Sequence, residues 1–337
     1  MPVTEIFQAT GSHTQIVASK EPTWGNPPTA AASTAHALNV VGGETLDNVI
    51  NIYRSEVIRS DRMRNPSVRG TEHPGGSVPF ELSAKGNGRF LWAALTATAP
   101  TDTGSSSPYT HVFKGSTDIK LPSFTIEKGF LDLATVKYFA MHGSRIDKLS
   151  LDFGIDHIVK GALEFMAHDA TLTGTSYVDG TNVVLVAAPA NSGFTSVQAS
   201  LLLNGVAVSV VRSINLNLSN ALYGEAGFVL GKTVRQNLLA GTRMIEGAAT
   251  FIFQDTTYYD AAVAGTEFAL KILCTDAAGF SVEILLPRMQ FLPNNPSPKI
   301  ANDGPLEISA NFEALPDATT GTDIQITIIN DEATINY

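Results

Sequence analysis

Residues 145–169 constrain the fold more than any other part of the sequence, because they have the pattern of two strands that each bury one face. Apolar and polar residues alternate on both sides of a connection at 154–161, and this period of two is typical of half-buried strands. A similar pattern closes the chain at 306–312 and 321–328. The alternation therefore predicts a β-rich protein that uses one pair of strands twice.

Composition narrows the class of protein. The 337 residues allow about two domains, and they are 44% hydrophobic but only 16% charged, which predicts a surface largely covered by other subunits. The formal net charge of -10 argues against a phosphate-binding surface, since proteins that bind nucleic acid carry clustered Lys and Arg. An acidic wall can still serve nucleic acid by repelling it.

The single cysteine and the N-terminus bear on the compartment. Cys274 lies in an apolar run, which excludes a disulfide or a cysteine metal site within one chain and predicts a buried, inert thiol. No stretch reaches the ~20 apolar residues of a membrane span. Because the N-terminus lacks a basic region followed by an apolar block, we expect no secretory signal and a cytoplasmic protein, unless a larger assembly carries it out.

Local signals divide the chain into four parts. Residues 1–36 are rich in Thr, Ala and Pro and predict an extended arm that lies on a neighbouring subunit. A first domain follows at 37–170, then a Thr-, Gly- and Ala-rich linker at 171–195, and a second domain at 196–337.

Within the two domains, turn residues and apolar spacing predict several short elements. We expect a hairpin around Gly-Gly at 37–46, a loop at 65–76, short helices at 88–96 and 256–265, and a hairpin around Asn-Gly at 200–209.

A repeat relates the two domains. Residues 70–80 and 241–251 match at four of eleven positions with one constant offset of 171. Other segments follow in the same order at offsets that vary by about a dozen residues, as loop insertions allow. We interpret this as a tandem duplication, with chance similarity among β-rich segments as the alternative.

Residues that would carry catalysis or bind a metal form no recognisable motif. The histidines are dispersed, and no G-x-S-x-G sequence marks a nucleophile. Asp152 and Glu164 raise the question of a glycosidase, since two carboxylates can cleave a glycosidic bond. Their counterparts in the second copy, Asn311 and Gln325, keep polarity without charge, which favours a polar wall over a catalytic pair. We therefore expect no enzyme, no cofactor and no metal.

Basic residues cluster in one stretch, which acidic residues interrupt. The members of this cluster are Arg54, Arg59, Arg62, Arg64 and Arg69. Mixed charge of this kind is typical of a subunit contact rather than of a nucleic-acid patch. Trp24, in a turn cluster of the arm, is a further candidate for a subunit contact.

The order of these elements resembles that of the tail tube (major tail) proteins of long, non-contractile-tailed bacteriophages. The resemblance is carried by a strand at 77–82, a short aromatic helix at 89–95, a strand at 123–127 and the strand pair at 148–153 and 159–165. It covers nearly the whole chain, in two copies, and is one of pattern and order without a single diagnostic motif.

The resemblance implies a mainly β fold of two tandem tail-tube-like domains, each a β-sandwich or half-barrel with one short flanking helix. In that family six domains form a ring whose inner sheets join between subunits into a closed barrel, and stacked rings make the hollow tube that carries the genome to the host. Ring closure also pairs strand edges that would otherwise be exposed. Two domains per chain favour a trimeric ring with pseudo-sixfold symmetry, although most members have one domain per chain and a hexamer stays possible.

The resemblance also implies partners and a location. Other copies of the chain form rings and stacked tubes, the arm and loops bridge ring to ring, and tape measure and tail-end proteins bind the tube. DNA passes transiently without sticking. The protein is expected in the phage tail, assembled in the host cytoplasm, with no membrane insertion. A carbohydrate-binding or fibre-like β-sandwich module is the alternative, and a cluster of exposed aromatic residues would favour it.

Nine polar residues are predicted to face the channel, because they alternate with residues expected in the cores. These are Ser150, Asp152, Glu164, Asn215, Asn217, Ser309, Asn311, Gln325 and Thr327. None of them is Lys or Arg, so such a wall does not bind phosphate and DNA slides along it.

Overall fold

The computed structural model describes residues 9–29, 33–104, 106–178, 183–189, 193–293, 297–298, 300 and 305–335. These described residues form nineteen strands and two α-helices, so the protein is mainly β.

The elements divide between two halves of the chain. The first half contains β1 (Thr14–Lys20), β2 (Ser33–Ala37), β3 (Asp47–Arg54), β4 (Ser67–Glu81), α1 (Gly88–Leu95), β5 (Thr101–Thr103), β6 (Tyr109–Lys114), β7 (Phe124–Phe130), β8 (Lys137–Gly154), β9 (Lys160–Met166), β10 (Asp169–Thr173) and β11 (Val183–Val186). The second half contains β12 (Ala199–Leu203), β13 (Val206–Ala207), β14 (Val211–Ser219), β15 (Met244–Ile252), α2 (Thr257–Ala264), β16 (Glu267–Thr275), β17 (Ser281–Phe291), β18 (Glu307–Ala314) and β19 (Gln325–Asn330).

Strand β8 is the longest element and crosses between two sheets. Its first part pairs with β7 and β10, and its second part, from Arg145 onward, pairs with β9 and β14. Gly143 lies at the crossing with a φ of 64°. A Cβ at this position would lie 2.7 Å from the side chain of His168 and 2.9 Å from that of Trp24, so only glycine fits the bend.

The second part of β8 belongs to a sheet of eight strands, which we call the long sheet. Its order is β3, β4, β9, β8, β14, β15, β18 and the end of β17, and every neighbouring pair is antiparallel. The contact between β8 and β14 joins the first half of the chain to the second. The long sheet does not close on itself in the monomer.

Two further sheets flank the long sheet. The first flanking sheet has the order β11, β2, β1, β7, β8, β10, and the second has the order β13, β12, β16, β17, β19, β6, β5. Strand β6 comes from the first half but pairs with β19 of the second half, so the halves are joined twice. Residues of all three sheets and both helices form one cluster of buried apolar side chains from Ile16 to Ile335. The core is thus continuous across the two predicted domains.

The two halves follow one order of strand pairing. Strands β1, β2, β3, β4, β7, β8, β9 and β10 have the same neighbours among themselves as β12, β13, β14, β15, β16, β17, β18 and β19. Gly76 lies opposite Phe165 in the first half, and Gly247 lies opposite Phe312 in the second. The β7–β8 and β16–β17 pairs each shift register immediately after a phenylalanine, Phe124 and Phe268.

Several local predictions are confirmed. Both short helices form at the expected places, and Asn204 and Gly205 make the turn between β12 and β13 with φ angles of 48° and 80°. The residues predicted to be buried in the two strand pairs and in β14 have at most 5% of their surface exposed. They are Leu149, Leu151, Phe153, Leu163, Phe165, Ile214, Leu216, Leu218, Ile308, Phe312, Ile326 and Ile328.

Three local predictions are wrong. Residues 65–76 are mostly strand β4 rather than a loop, because β3 and β9 pair with this segment despite its Gly and Pro residues. The expected hairpin at 37–46 is absent from these described residues, where Val40 instead bridges to Phe80 of β4. The expected arm contains β1, which pairs along its whole length with β7 and so belongs to the first flanking sheet.

Candidate functional site

The candidate site is the polar face of the long sheet. In the junction between the halves, Asp152 lies opposite Asn215 and Ser150 lies opposite Asn217. Because cross-strand partners share a face, the register extends this face through the rest of the sheet. Seven of the nine predicted channel residues therefore lie on it: Ser150, Asp152, Glu164, Asn215, Asn217, Ser309 and Asn311.

The opposite face of the same strands is buried. Leu151 lies opposite Leu216 and Phe153 lies opposite Ile214, each with at most 5% of its surface exposed. A shift of one residue in register would move these four side chains to the polar face, so the apolar pattern fixes which residues face outward.

Two lysines also lie on the polar face, so the prediction of a wall without Lys or Arg is wrong. Lys148 donates a hydrogen bond from Nζ to Glu164 Oε2 over 2.8 Å, and Lys160 lies opposite Asp152. This hydrogen bond to Glu164 raises the pKa of Lys148 above its usual value. Lys148 is therefore paired with a carboxylate, and Lys160 has a carboxylate as its cross-strand neighbour. Both lysines lie within the strands predicted at 148–153 and 159–165, but the list of channel residues left them out.

Gln325 and Thr327 lie in a different sheet from the other seven residues. They belong to β19, which pairs with β17 and β6 in the second flanking sheet, whereas β18 pairs with β15 and β17. The interpretation of β18 and β19 as a second copy of the β8–β9 pair is therefore wrong. A period of two shows that one face of a strand is buried, but it does not show which strand is its neighbour.

The arginine cluster lies on a hairpin formed by β3 and β4. Arg59 pairs with Asp61 over 2.7 Å and Arg69 pairs with Glu72 over 2.7 Å, so the charge is mixed as predicted. The five arginines are exposed to solvent: Arg54, Arg59, Arg62, Arg64 and Arg69.

The same hairpin also exposes large apolar side chains, which the sequence analysis did not single out. They include Ile58, which is 95% exposed, together with Val49, Ile52, Tyr53, Val57, Met63 and Val68. Their concentration between 49 and 68 was visible in the sequence. Apolar residues concentrated on one exposed element are typical of a protein contact surface.

Trp24, predicted as a subunit contact, packs on its own chain. Its indole N–H donates to the carbonyl of Gly143 over 3.0 Å, and its ring lies 4.8 Å from that of His168. The Arg145 guanidinium lies 5.7 Å from the indole centroid. Trp24 therefore anchors the N-terminal segment at the bend of β8.

A groove of about 660 Å³ lies beside β3, at one end of the long sheet. We call it the β3 groove. It is lined by Glu44, Thr45, Leu46, Asp47, Asn48, Ile50, Lys128, Phe130, Phe139, Ala140, Met141, Ala170, Thr171 and Leu172. Among these lining residues, Lys128 Nζ donates to Glu44 Oε1 and to the carbonyl of Leu46, each over 2.9 Å.

Two titratable side chains, His111 and Cys274, are buried inside the fold. His111 is buried with Nδ1 2.6 Å from Asp102 Oδ1 and Nε2 2.8 Å from the carbonyl of Glu332, which lies 221 residues later in the sequence. Burial raises the pKa of the Cys274 thiol to about 12, so the reactive thiolate does not form at neutral pH. Among the described residues no three His, Cys, Asp or Glu side chains come together as metal ligands.

Large exposed aromatic residues belong to separate elements in the described part of the chain. Tyr53 lies on β3, Phe139 on β8, Tyr259 on α2 and Tyr223 in the connection after β14. No helix in the described ranges is long and apolar enough to span a membrane.

Comparison with protein families gives one extensive match. A family model described as "Phage tail tube protein" matches residues 11–314. A search of curated proteins finds no significant match. Among solved structures, a crystal structure of a Pseudomonas aeruginosa FadL homologue aligns with 94% of this chain and 88% of its own, at 9% identity and a TM-score of 0.09, which supports no conclusion about fold or function.

Proposed function

The chain belongs to the phage tail tube protein family, and we propose that it polymerises into stacked rings that form the hollow tail tube through which the genome is delivered. The observation that carries this function is the long sheet, with one polar face, one buried face and two ends that do not meet. An open sheet of this kind exposes backbone N–H and C=O groups at its edges, and closure into a ring with other copies pairs them.

We further propose that the chain arose by tandem duplication of one tube domain. The shared order of strand pairing, the Gly–Phe pairs at equivalent places in β4–β9 and β15–β18, and the register shifts after Phe124 and Phe268 support this origin. In this scheme β1 belongs to the first domain, which therefore begins before residue 37. Strands β5 and β6 are additions to the first copy.

The duplication favours a trimeric ring over a hexamer of chains. Each chain contributes four strands from each half to the long sheet, so three chains would close a barrel of twenty-four strands with pseudo-sixfold symmetry. The long sheet would form the inner wall, and the flanking sheets would lie outside it.

The polar face would then line the channel. We propose as its wall Ser150, Asp152, Glu164, Asn215, Asn217, Ser309 and Asn311, and we leave out Gln325 and Thr327 because they lie in the second flanking sheet. Lys148 on this face is paired with Glu164 over 2.8 Å, and Lys160 lies opposite Asp152, so neighbouring carboxylates offset the positive charge of both lysines. Since DNA binding depends on unpaired cationic groups, DNA would pass without sticking.

Contacts between stacked rings would use the exposed β3–β4 hairpin. Its apolar side chains are solvent-exposed in the single chain, and its arginines add charge complementarity to an acidic protein. The tape measure and tail-end proteins would bind the finished tube in the virion, which would assemble in the host cytoplasm.

Negative-stain microscopy of the purified protein tests the function most directly. We expect rings or tubes with a central channel as the protein concentration rises. Monomers that persist at high concentration, together with binding to glycans on an array, would support a carbohydrate-binding module instead.

A second experiment tests the channel wall. The double variant Asp152→Lys and Glu164→Lys should still form tubes, because both side chains face away from the core. The tubes should acquire salt-dependent DNA binding, and phage that carry them should eject DNA more slowly. Equal ejection rates for the variant and the parent would contradict a role for this face in the channel.

A further inference from the structure

The long sheet ends in two edges that lie far apart in one chain. At one end β3 pairs with β4, and the described residues place no strand on its other side. At the other end the chain continues from β17 to Leu292, whose N–H donates to the carbonyl of Asn311 on β18 over 2.7 Å. In the described part of the chain, Leu292 also has a strand on one side only.

The junction between the two halves shows how such edges fit together. There the end of β8 runs antiparallel to β14, and Lys148 lies opposite Ser219. The two residues are tied to their own halves in a fixed register: Lys148 lies opposite Glu164 of β9, and Ser219 lies opposite Met244 of β15.

Each open edge of the long sheet has one residue whose position corresponds to that of Ser219 or Lys148 at the junction. Val49 lies opposite His73 on β4, and the offset of 171 makes His73 the equivalent of Met244. Leu292 bonds to Asn311, the neighbour of Phe312, as Lys148 pairs with Glu164, the neighbour of Phe165. Val49 and Leu292 are therefore the counterparts of Ser219 and Lys148.

We infer that the edge of β3, with the β3 groove beside it, is the docking surface for a second copy of this chain, in a register that places Val49 opposite Leu292 of that copy. This assignment rests on the proposed function and specifies how its chains join. We assign a second copy as the occupant because the two open edges correspond to the two strands of the β8–β14 junction. The edge of β3 corresponds to β14, and the edge at Leu292 of the second copy corresponds to β8.

Exposure at the edge agrees with this docking surface. Val49 is 59% exposed, and Leu172 and Phe139 of the groove are 60% and 44% exposed. Phe139 and Leu172 line the groove from β8 and β10, whereas Val49 lies on the polar face of the β3 edge beside it. An incoming strand that pairs with β3 would therefore approach both the groove and Val49.

Disulfide trapping tests the register. Residues directly opposite each other on antiparallel strands have Cα atoms about 4.5–5.5 Å apart, which lies within the range of a disulfide. The variant V49C/L292C should therefore form covalent oligomers under mild oxidation, seen on non-reducing gels, with a closed trimer as the largest ring product. A bond within one chain is excluded because the two residues lie at opposite ends of an eight-stranded sheet.

Matched controls accompany this variant. K148C/S219C should cross-link within the chain and migrate as a monomer, which shows that the oxidation conditions report this register. I50C/L292C, shifted by one residue to the other face, should give at least tenfold less covalent oligomer. The parent chain should give none, because its one cysteine, Cys274, is buried.

The outcomes separate this inference from the proposed function. If the parent and the single variants V49C and L292C form tubes but V49C/L292C cross-links no better than I50C/L292C, the docking register is wrong and the tube function stands. If the parent forms no rings at any concentration, the tube function fails and this inference fails with it. Cross-linking of V49C/L292C to a different protein in an infected-cell extract, with no homo-oligomer, would also overturn it.

Discussion

The two halves of the chain differ in charge at a pair of equivalent positions beside the long sheet. In the second half Ile214 and Ile272 are buried and line one pocket together with Phe153 of the first half. In the first half the corresponding positions hold Glu44 and Lys128, which form an ion pair over 2.9 Å in the β3 groove. At these positions the β8–β14 junction within the chain has apolar side chains, whereas the open edge beside β3 has charged ones.

The register supports the equivalence of these positions. Asp47 lies opposite Gly75 and Asn217 lies opposite Glu246, and these are equivalent places. Glu44, just before β3, and Ile214, on β14, each lie three residues earlier in the chain. Lys128 and Ile272 each lie four residues after the phenylalanine that precedes the register shift.

The difference shows what each surface must tolerate. The β8–β14 junction forms as the chain folds and is never presented to another molecule, so its side chains can be apolar. The β3 groove faces solvent in the free chain, where an apolar edge would pair with any other edge. Charged residues at sheet edges oppose such unselective pairing.

The largest expected effect tests whether the halves are equivalent at all. Phe165→Ala and Phe312→Ala each remove a buried ring from the same place in β9 and β18, where 3% and 0% of the residue is exposed. Each variant should lose about 3–5 kcal/mol of unfolding free energy in guanidinium titrations. A loss below about 1 kcal/mol in only one of the two variants would show that Phe165 and Phe312 are not equivalent.

Moving the ion pair into the second half should have the next largest effect. In Ile214→Glu with Ile272→Lys, two charges are buried against Phe153, so the free energy of unfolding should fall by about 1–4 kcal/mol. Urea titration measures the change, and Ile214→Leu with Ile272→Leu is the control for altered packing. Unchanged stability would show that the junction tolerates charge and that its apolar character has no energetic basis.

The reverse exchange should change association more than stability. Glu44→Ile with Lys128→Ile removes a partly exposed ion pair, and such pairs contribute about 0–1 kcal/mol. Light scattering should show self-association at lower protein concentration and with less dependence on salt than in the parent. Identical scattering curves would contradict the role of these charges in limiting unselective pairing.

The smallest expected effect is on the pH dependence of stability, and it involves only the first half of the chain. Burial, followed by the charge of Arg89, lowers the pKa of His36 to about 3, whereas the corresponding strand β13 carries no histidine. The folded state keeps His36 neutral while the unfolded state binds a proton below its ordinary pKa of about 6.5. This residue should therefore lower stability as the pH falls from about 6.5 toward 3.

His36→Gln isolates that contribution, because it keeps a polar side chain that cannot be protonated. The difference in unfolding free energy between parent and variant should move in favour of the variant between pH 7 and pH 5. A difference that stays constant over this interval would show that His36 does not respond to pH as expected.

The sequence predicted the faces of strands better than their neighbours. Leu149, Leu151 and Phe153 alternate with polar residues, and the structure buries all three. The same alternation in β19 predicted buried Ile326 and Ile328 correctly, yet Gln325 was assigned to the wrong sheet. Local alternation depends on one strand, whereas pairing depends on segments more than a hundred residues away, such as β6 for β19.

The contact surface was harder to predict for a different reason. Glu44 and Lys128 are 84 residues apart, so nothing local indicates that they pair. Residues 65–76 contain turn-forming Gly and Pro, and pairing with β3 and, at Gly75 and Gly76, with β9 overrides those preferences. The repeat at a constant offset was the most useful long-range signal, because it relates Gly76 to Gly247 without any knowledge of pairing.

The joint between β8 and β14 has a mechanical consequence. In a ring of three such chains, every second seam of the wall is backed by covalent chain, and β6 reinforces the same connection from outside by pairing with β19. Bending or internal pressure would therefore open the tube along only three seams per ring. In such a ring, having two domains in one chain would halve the number of seams at which the tube could leak.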